Sequence, residues 1–249
     1  NLEYEKVLWP FIILTKKRYV GNLYEEDPNV FKQKSMGIVL KRRDNADIVK
    51  IVCGGVIDKL LNERDPEGAV NFVRESLQNI ITGKFNIDKF VITKTLKSIS
   101  SYKDWTRIAH AVLANRMAKR DPGNAPQSND RIPYVYVEVD KKKVELQGDR
   151  IELPSYVLEN NLKLDYLFYI TNQIMTPCIQ FLDLVMNNAD ELFNEYIIKE
   201  ENRKIGKTPI ISLVKNDNDN ENENYLDSYE KVEFNKDKKK KTNKKKIIK

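Results

Sequence analysis

Between Asp44 and Gly83 the apolar residues recur at helical spacing twice, and one turn signal separates the two series. Ile48, Val49, Val52, Cys53, Val56, Ile57, Leu60 and Leu61 make the first stripe, and Ala69, Val73, Leu77, Ile80 and Ile81 make the second. A stripe of this period buries one face of a helix, so each run needs a partner, and the other run is the nearest one. Asp65 suits an N-cap, Pro66 a first helical position and Gly83 a stop. Asp44 is the expected cap of the first helix. A helix–turn–helix hairpin over roughly 44–83 is therefore predicted. Gly54-Gly55 inside the first stripe costs about 1 kcal/mol per glycine against alanine, which points to close packing of another element there.

The flanks follow a different period. The apolar run Phe11-Ile12-Ile13-Leu14 reads as a buried strand, and Arg18–Tyr24 as a second strand. Residues 25–29 (EEDPN) read as a turn, and "KSMGIVLKRRD" as a short apolar element that ends in cations. Farther on, Phe90–Leu96 reads as a short strand, 107–120 as a third helix, and 121–130 as loop. Tyr134–Val139 alternates as a strand, with "KKKVELQ" as its expected partner. Asp165–Gln173 and Pro177–Met186 read as two helices broken at Thr176-Pro177, with Thr176 as cap. The Asn/Asp/Glu-rich and then Lys-rich end from about 215 is too polar to offset its ordering entropy and reads as disordered.

Charge is uneven along the chain. Nine lysines and one aspartate give residues 235–249 a charge of +8 against +6 for the whole chain, so the remainder is net −2. A polyanion partner of the folded part must therefore be held by local clusters. Lys16-Lys17-Arg18 beside Tyr19 is one such cluster. On a strand, Lys17 and Tyr19 would share one face and Lys16 and Arg18 the other. The cations suit phosphate and minor-groove contact, and equally suit a charged edge strand that discourages pairing. Lys41-Arg42-Arg43 at a helix start opposes the helix dipole unless an anion sits there; a salt-bridged surface is the other reading. Arg116, Lys119 and Arg120 fall on one helical face that could track phosphates. His110, the sole histidine, lies among apolar neighbours and reads as structural.

Other chemistries lack material. Cys53 and Cys178 are far apart in sequence and apolar in context, which leaves no disulfide framework or Cys-rich zinc site and makes a reducing compartment the default. There is no Walker loop or GxGxxG, no apolar run of membrane-spanning length, and no carboxylate pair at the end of an apolar strand.

The clusters occur in a telling order. "KKRYVG", "MGIVLKRRDN", "VITKTL", "AHAVLANRMAKRDPGNAPQSNDRIPYV" and "LENNLKLDYLFYITNQIMTP", together covering about residues 3–190, resemble the carboxy-terminal part of family B DNA polymerases. The likeness is greatest to the delta-type enzymes of eukaryotes and large DNA viruses. It implies an α+β chain. A remnant of the palm β-sheet (1–40) would be followed by a mainly helical thumb with a small β element (41–205) and a disordered tail (206–249).

The resemblance implies DNA-binding roles for Lys16, Lys17, Arg18, Tyr19 and Gly21 in the palm, and for Arg42 and Arg43 at the passage to the thumb. It implies the same for Lys94, His110, Arg116, Arg131 and Tyr134 in the thumb. Primer–template DNA would be the partner, with dNTPs reached through the palm and fingers, and a processivity clamp is a further implied partner. The family's catalytic carboxylates belong to a DxxSLYP-like and a YGDTDS-like motif, and neither occurs in this sequence. Both precede KKRY in the family, so they and the Mg2+ they hold would lie outside this chain. The fragment alone is expected to be inactive and to carry no cofactor. A non-catalytic DNA-binding module derived from a polymerase end is the alternative. The Asn/Lys-rich end stands where cellular delta-type enzymes carry Cys-rich metal modules. That favours a viral or divergent parent, acting in the nucleus or at a viral replication site in host cytoplasm.

Overall fold

The computed structural model describes residues 6–41, 45–139 and 146–206, all within one compact unit. Three antiparallel strands come first: β1 (Val7–Thr15), β2 (Arg18–Tyr24) and β3 (Lys32–Met36), in the order β1-β2-β3. Val20 and Asn22 on one face of β2 are buried, and the Asn22 side-chain amide donates to Asn62 Oδ1 at 2.7 Å. On the opposite face Gly21 and Leu23 are buried as well, and that face opens only toward the hairpin end. Ile13, Tyr19 and Met36 stand side by side in register across the three strands, and Ile13 is 59% and Met36 48% exposed.

The Phe11–Leu14 run is therefore not a buried strand. Its alternate residues face solvent: Trp9 is 62% and Phe11 41% exposed. The reason is geometric, since a strand buries both faces only when something covers both, and here helices cover one.

The helical hairpin forms as its punctuation requires. α1 (Asp47–Asp58) widens into a π-helical turn (Lys59–Glu63), and α2 (Pro66–Ile81) returns against it. Asp65 caps α2 by accepting from the Gly68 N–H at 2.8 Å. Both apolar stripes are buried except for the half-buried Leu60, and each large side chain so buried contributes about 2 kcal/mol. Gly55 lets the Phe72 ring of α2 lie against the α1 backbone, where a Cβ would overlap it. Ala46 occupies the N-cap position of α1. Asp44, the expected cap, lies outside the described residues.

The second sheet has the order β4-β5-β6, from β4 (Ile92–Thr95), β5 (Arg131–Tyr136) and β6 (Ile151–Glu152). β5 pairs with β4 and β6; of the expected partner "KKKVELQ", residues 141–145 lie outside the described residues, and Gln147 opens a 3-10 turn (Gln147–Arg150). Helix α3 (Ala109–Arg120) packs on this sheet, and α4 (Pro154–Glu159) follows it.

The expected helix break at Thr176-Pro177 is absent. One helical path runs through α5 (Tyr166–Phe168), a π-helical stretch (Tyr169–Ile174) and α6 (Met175–Leu182). Pro177 sits in the first turn of α6, directly after the π-helical stretch. A final helix, α7 (Glu191–Lys204), lies in a stretch to which the sequence reading assigns no element. Its buried Leu192, Phe193, Tyr196 and Glu200 recur at helical spacing, so the signal was present. The charged end of the chain expected to be disordered falls in 207–249, outside the described residues.

The two cysteines far apart in sequence meet in space. The Sγ atoms of Cys53 on α1 and Cys178 on α6 lie 3.1 Å apart as buried free thiols. Burial first, and then the neighbouring Cys53 thiol, push the Cys178 thiol well above its ordinary pKa.

Candidate nucleic-acid interface

The cation cluster is delivered by a turn. Thr15 pairs with Arg18, so Lys16 and Lys17 alone connect β1 to β2, and both are exposed. A two-residue connection between right-twisted strands favours positive φ, and Lys17 adopts φ 64°. The expected strand alternation of Lys16, Lys17 and Arg18 therefore does not occur; two ammonium groups cap the hairpin end instead. Tyr19 is half-buried on the open sheet face, with its ring 5.4 Å from that of Phe11.

Arg18 behaves differently from its neighbours. Its Nη2 donates to Gln180 Oε1 of α6 at 2.5 Å, and its Nε donates to the Gly37 carbonyl at 3.3 Å. Gly37 itself has φ +63°, and a Cβ there would collide with the Lys17 carbonyl oxygen. Only glycine lets that turn close against the hairpin end. Gly21 lies buried under the Phe11 ring, whose Cδ2 is 2.9 Å from where a Cβ would stand. It serves strand packing rather than an open surface.

A second group gathers at the end of β4. Lys94 pairs across the ladder with Ile132, and Thr95 with Arg131, which is exposed. His110 on α3 lies beside them. Its Nε2 is 3.2 Å from the Tyr102 hydroxyl, which also accepts the Lys97 N–H at 2.8 Å. Burial and then the Lys94 charge hold the His110 pKa below its ordinary value, against a hydrogen bond with the Thr95 backbone. The neutral ring is thus favoured near neutral pH. Tyr134 is 5% exposed and packs within the sheet, with its ring 6.0 Å from that of Tyr136.

Arg116 and Arg120 are each engaged within the protein, while Lys119 and Arg120 remain exposed. Arg116 donates to the carbonyls of Gly148, at 2.8 Å, and Ile151. Arg120 makes a two-pronged ion pair with the buried Glu152, at 3.0 and 2.9 Å. The same helical spacing that aligned these cations also lets one carboxylate on β6 collect both, since Glu152 lies 3.8 Å from Arg116 as well.

A larger ion network joins α7 to the second sheet. Arg203 bonds Glu200 and Glu138, while Asp165 accepts from Arg150 at 2.7 Å and Lys204 at 2.5 Å. Glu138 and Asp165, distant in sequence from α7, carried no signal of this network. Gln180, 162 residues from Arg18, gave none either.

Arg42 and Arg43 lie outside the described residues. Among the described residues no group of three or more His, Cys, Asp and Glu could hold a metal ion, and no helix is long and apolar enough to cross a membrane.

Comparison with known proteins shows the family of the chain. The family model of DNA polymerase family B matches residues 1–185. The chain is similar to a DNA polymerase of Pyramimonas orientalis virus, 63% identical over 187 residues, covering 75% of this chain and 15% of the relative. It is 54% identical over 212 residues to a DNA polymerase of Acanthamoeba polyphaga mimivirus, covering 83% of this chain and 12% of that protein. A DNA polymerase delta catalytic subunit of Glycine max is 37% identical over 77% of this chain and 17% of its own length. The fold resembles that of the family B DNA polymerase of Pyrobaculum calidifontis, with a TM-score of 0.54 and 22% identity over 72% of this chain and 22% of that one. The chain thus spans less than a fifth of the length of these sequence relatives. It belongs to DNA polymerase family B.

Proposed function

We propose that this chain is the palm-end and thumb portion of a DNA-directed DNA polymerase, and that it holds the primer–template duplex while the rest of the protein extends the primer 3′ end with dNTPs. The observation that carries this reading is the hairpin end, where Lys16 and Lys17 stand exposed on a two-residue turn beside Tyr19. Two ammonium groups on a stiff hairpin neutralise phosphates at a fixed place, and fixed placement of a reactant is itself a large catalytic term. Lys94 and Arg131 at the end of β4 form a second cationic group on the helical portion. Residues 1–40 would belong to the palm and 41–205 to the thumb under this reading.

Divalent ions such as Mg2+ would supply charge stabilisation at the reacting phosphates in the parent enzyme. The described residues offer no donor set for them, so no step is assigned to a metal here. Primer–template DNA and dNTPs are the substrates this reading implies, a processivity clamp is a further partner, and the nucleus or a viral replication site is the place of action.

The test is a titration of this chain with primed duplex at two salt concentrations. Affinity should fall with salt, and Lys16→Ala with Lys17→Ala should lower the slope of log affinity against log salt by about two contacts, each about 0.9. Absent or salt-insensitive binding would remove the duplex-holding role.

A further inference from the structure

Among the described residues, several arginines are held by carboxylates, and Arg18 is held without one. Arg120, Arg150 and Arg203 each bond a carboxylate, on Glu152, on Asp165, and on Glu138 and Glu200. Arg18 is held by two neutral oxygens, the Gln180 side-chain amide and the Gly37 carbonyl. A carboxylate would fix the guanidinium and cancel its charge, whereas an amide oxygen fixes it and leaves the charge in place.

The setting gives this difference a use. Arg18 is the first residue of β2 and adjoins the turn that carries Lys16 and Lys17. The β2–β3 ladder stops at the Tyr19–Met36 pair, so the turn projects past β3. Beyond that pair the Arg18 guanidinium supplies bonds on two sides: to the Gly37 turn and, across 162 residues of sequence, to α6. Gln180 is half-buried, and its helix is anchored against α1 at the Cys53–Cys178 contact.

We infer that Gln180 is a positioning residue that clasps Arg18 to helix α6 and fixes the Lys16–Lys17 turn for duplex contact while leaving the full positive charge of the hairpin end available. This rests on the duplex-holding reading above and adds to it the residue that sets where the cations point.

Two variants separate position from charge. Gln180→Leu keeps similar bulk and removes the acceptor; Gln180→Glu keeps the acceptor and adds a negative charge. Two readouts are taken on the full 249-residue chain. One is the rate of tryptic cleavage after Lys16 and Lys17, followed by mass spectrometry, with the exposed Lys103 and Lys119 as internal controls. The other is affinity for a primed duplex at two salt concentrations. Far-UV circular dichroism establishes that each variant is folded.

Gln180→Leu should raise turn cleavage about fivefold or more, leave the control sites unchanged, and weaken duplex binding about threefold or more. Gln180→Glu should keep turn cleavage at the parent rate yet weaken duplex binding and lower its salt slope by about one contact. Parent-like turn cleavage in Gln180→Leu would overturn the clasp, even where the duplex binds. Parent-like affinity in Gln180→Glu would overturn the claim that a neutral holder matters. Failure of the parent chain to bind duplex at either salt would overturn the duplex-holding reading, whatever the turn does.

Discussion

The Tyr169 hydroxyl donates to the Phe90 carbonyl at 2.8 Å and accepts the Tyr136 N–H at 2.9 Å, so one side chain joins the π-helical stretch to both the segment before β4 and the end of β5. Tyr169 is fully buried, and burial pushes its phenol pKa up, which keeps it a donor. Tyr169→Phe would leave a buried carbonyl and a buried amide unpaired, each costing about 1–3 kcal/mol. Chemical denaturation should show a loss of roughly 2 kcal/mol or more, with no change in the denaturant slope.

Lys17 combines a charge with a strained backbone, and the two separate by substitution. Lys17→Gly removes left-handed strain of about 1 kcal/mol and gives back a similar amount in unfolded-state entropy. Thermal stability should therefore stay within about 1 kcal/mol of the parent. Duplex affinity should fall, and its salt slope should drop by about one contact. A Gly variant that binds as tightly as the parent would show that the ammonium group of Lys17 makes no phosphate contact.

Cys53 and Cys178 should be silent to thiol reagents in the folded chain. Both are fully buried, which bars the reagent, and burial pushes the Cys178 thiol up so that it holds little reactive thiolate. A thiol-titrating reagent should count close to zero groups under native conditions and two after denaturation, the chain's full complement.

Asp165 sets an acid limit. Burial alone would raise its pKa, but hydrogen bonds and charge from Lys204 and Arg150, with the Phe168 N–H, outweigh it and hold the carboxyl below its ordinary value of 3.8. A depressed folded-state pKa gives stability that is fully present above the unfolded-state value and lost as pH falls through the folded-state value. Asp165→Asn retains a capping oxygen for Phe168 but strands Arg150 and Lys204, and should cost roughly 3 kcal/mol at pH 7. The gap between variant and parent should close as pH is lowered below 3.8. An equal gap at about pH 7 and about pH 2.5 would show that the charge is not the source.

The sequence carried the local structure well and the covering of surfaces poorly. Asp65, Pro66 and Gly83 mark their helix because capping is a contact between near neighbours. The apolar Phe11–Leu14 run invites burial, yet whether a face is covered depends on residues elsewhere, and Ile13 ends half open. Likewise the helical spacing of Arg116 and Arg120 is visible, while Glu152, which collects both, is 32 positions away from Arg120. The candidate site divides along the same line. Lys16, Lys17 and Tyr19 could be read from their neighbours, but Arg18 meets Gln180 only through the fold. The DxxSLYP-like and YGDTDS-like motifs are absent from the sequence itself.

The π-helical stretch Tyr169–Ile174 also acts as a phase-setter for helix α6, which continues from it. Each residue in an α-helix advances the chain by about 100° around the axis. If the six residues of this stretch relaxed to ordinary α-helical winding with none removed, α6 would rotate by about that angle. Cys178 would swing away from Cys53, and Gln180 from Arg18, in a single step. The angular registration of α6, and with it the aim of a hairpin 162 residues earlier, is thus written in the length of one overwide turn.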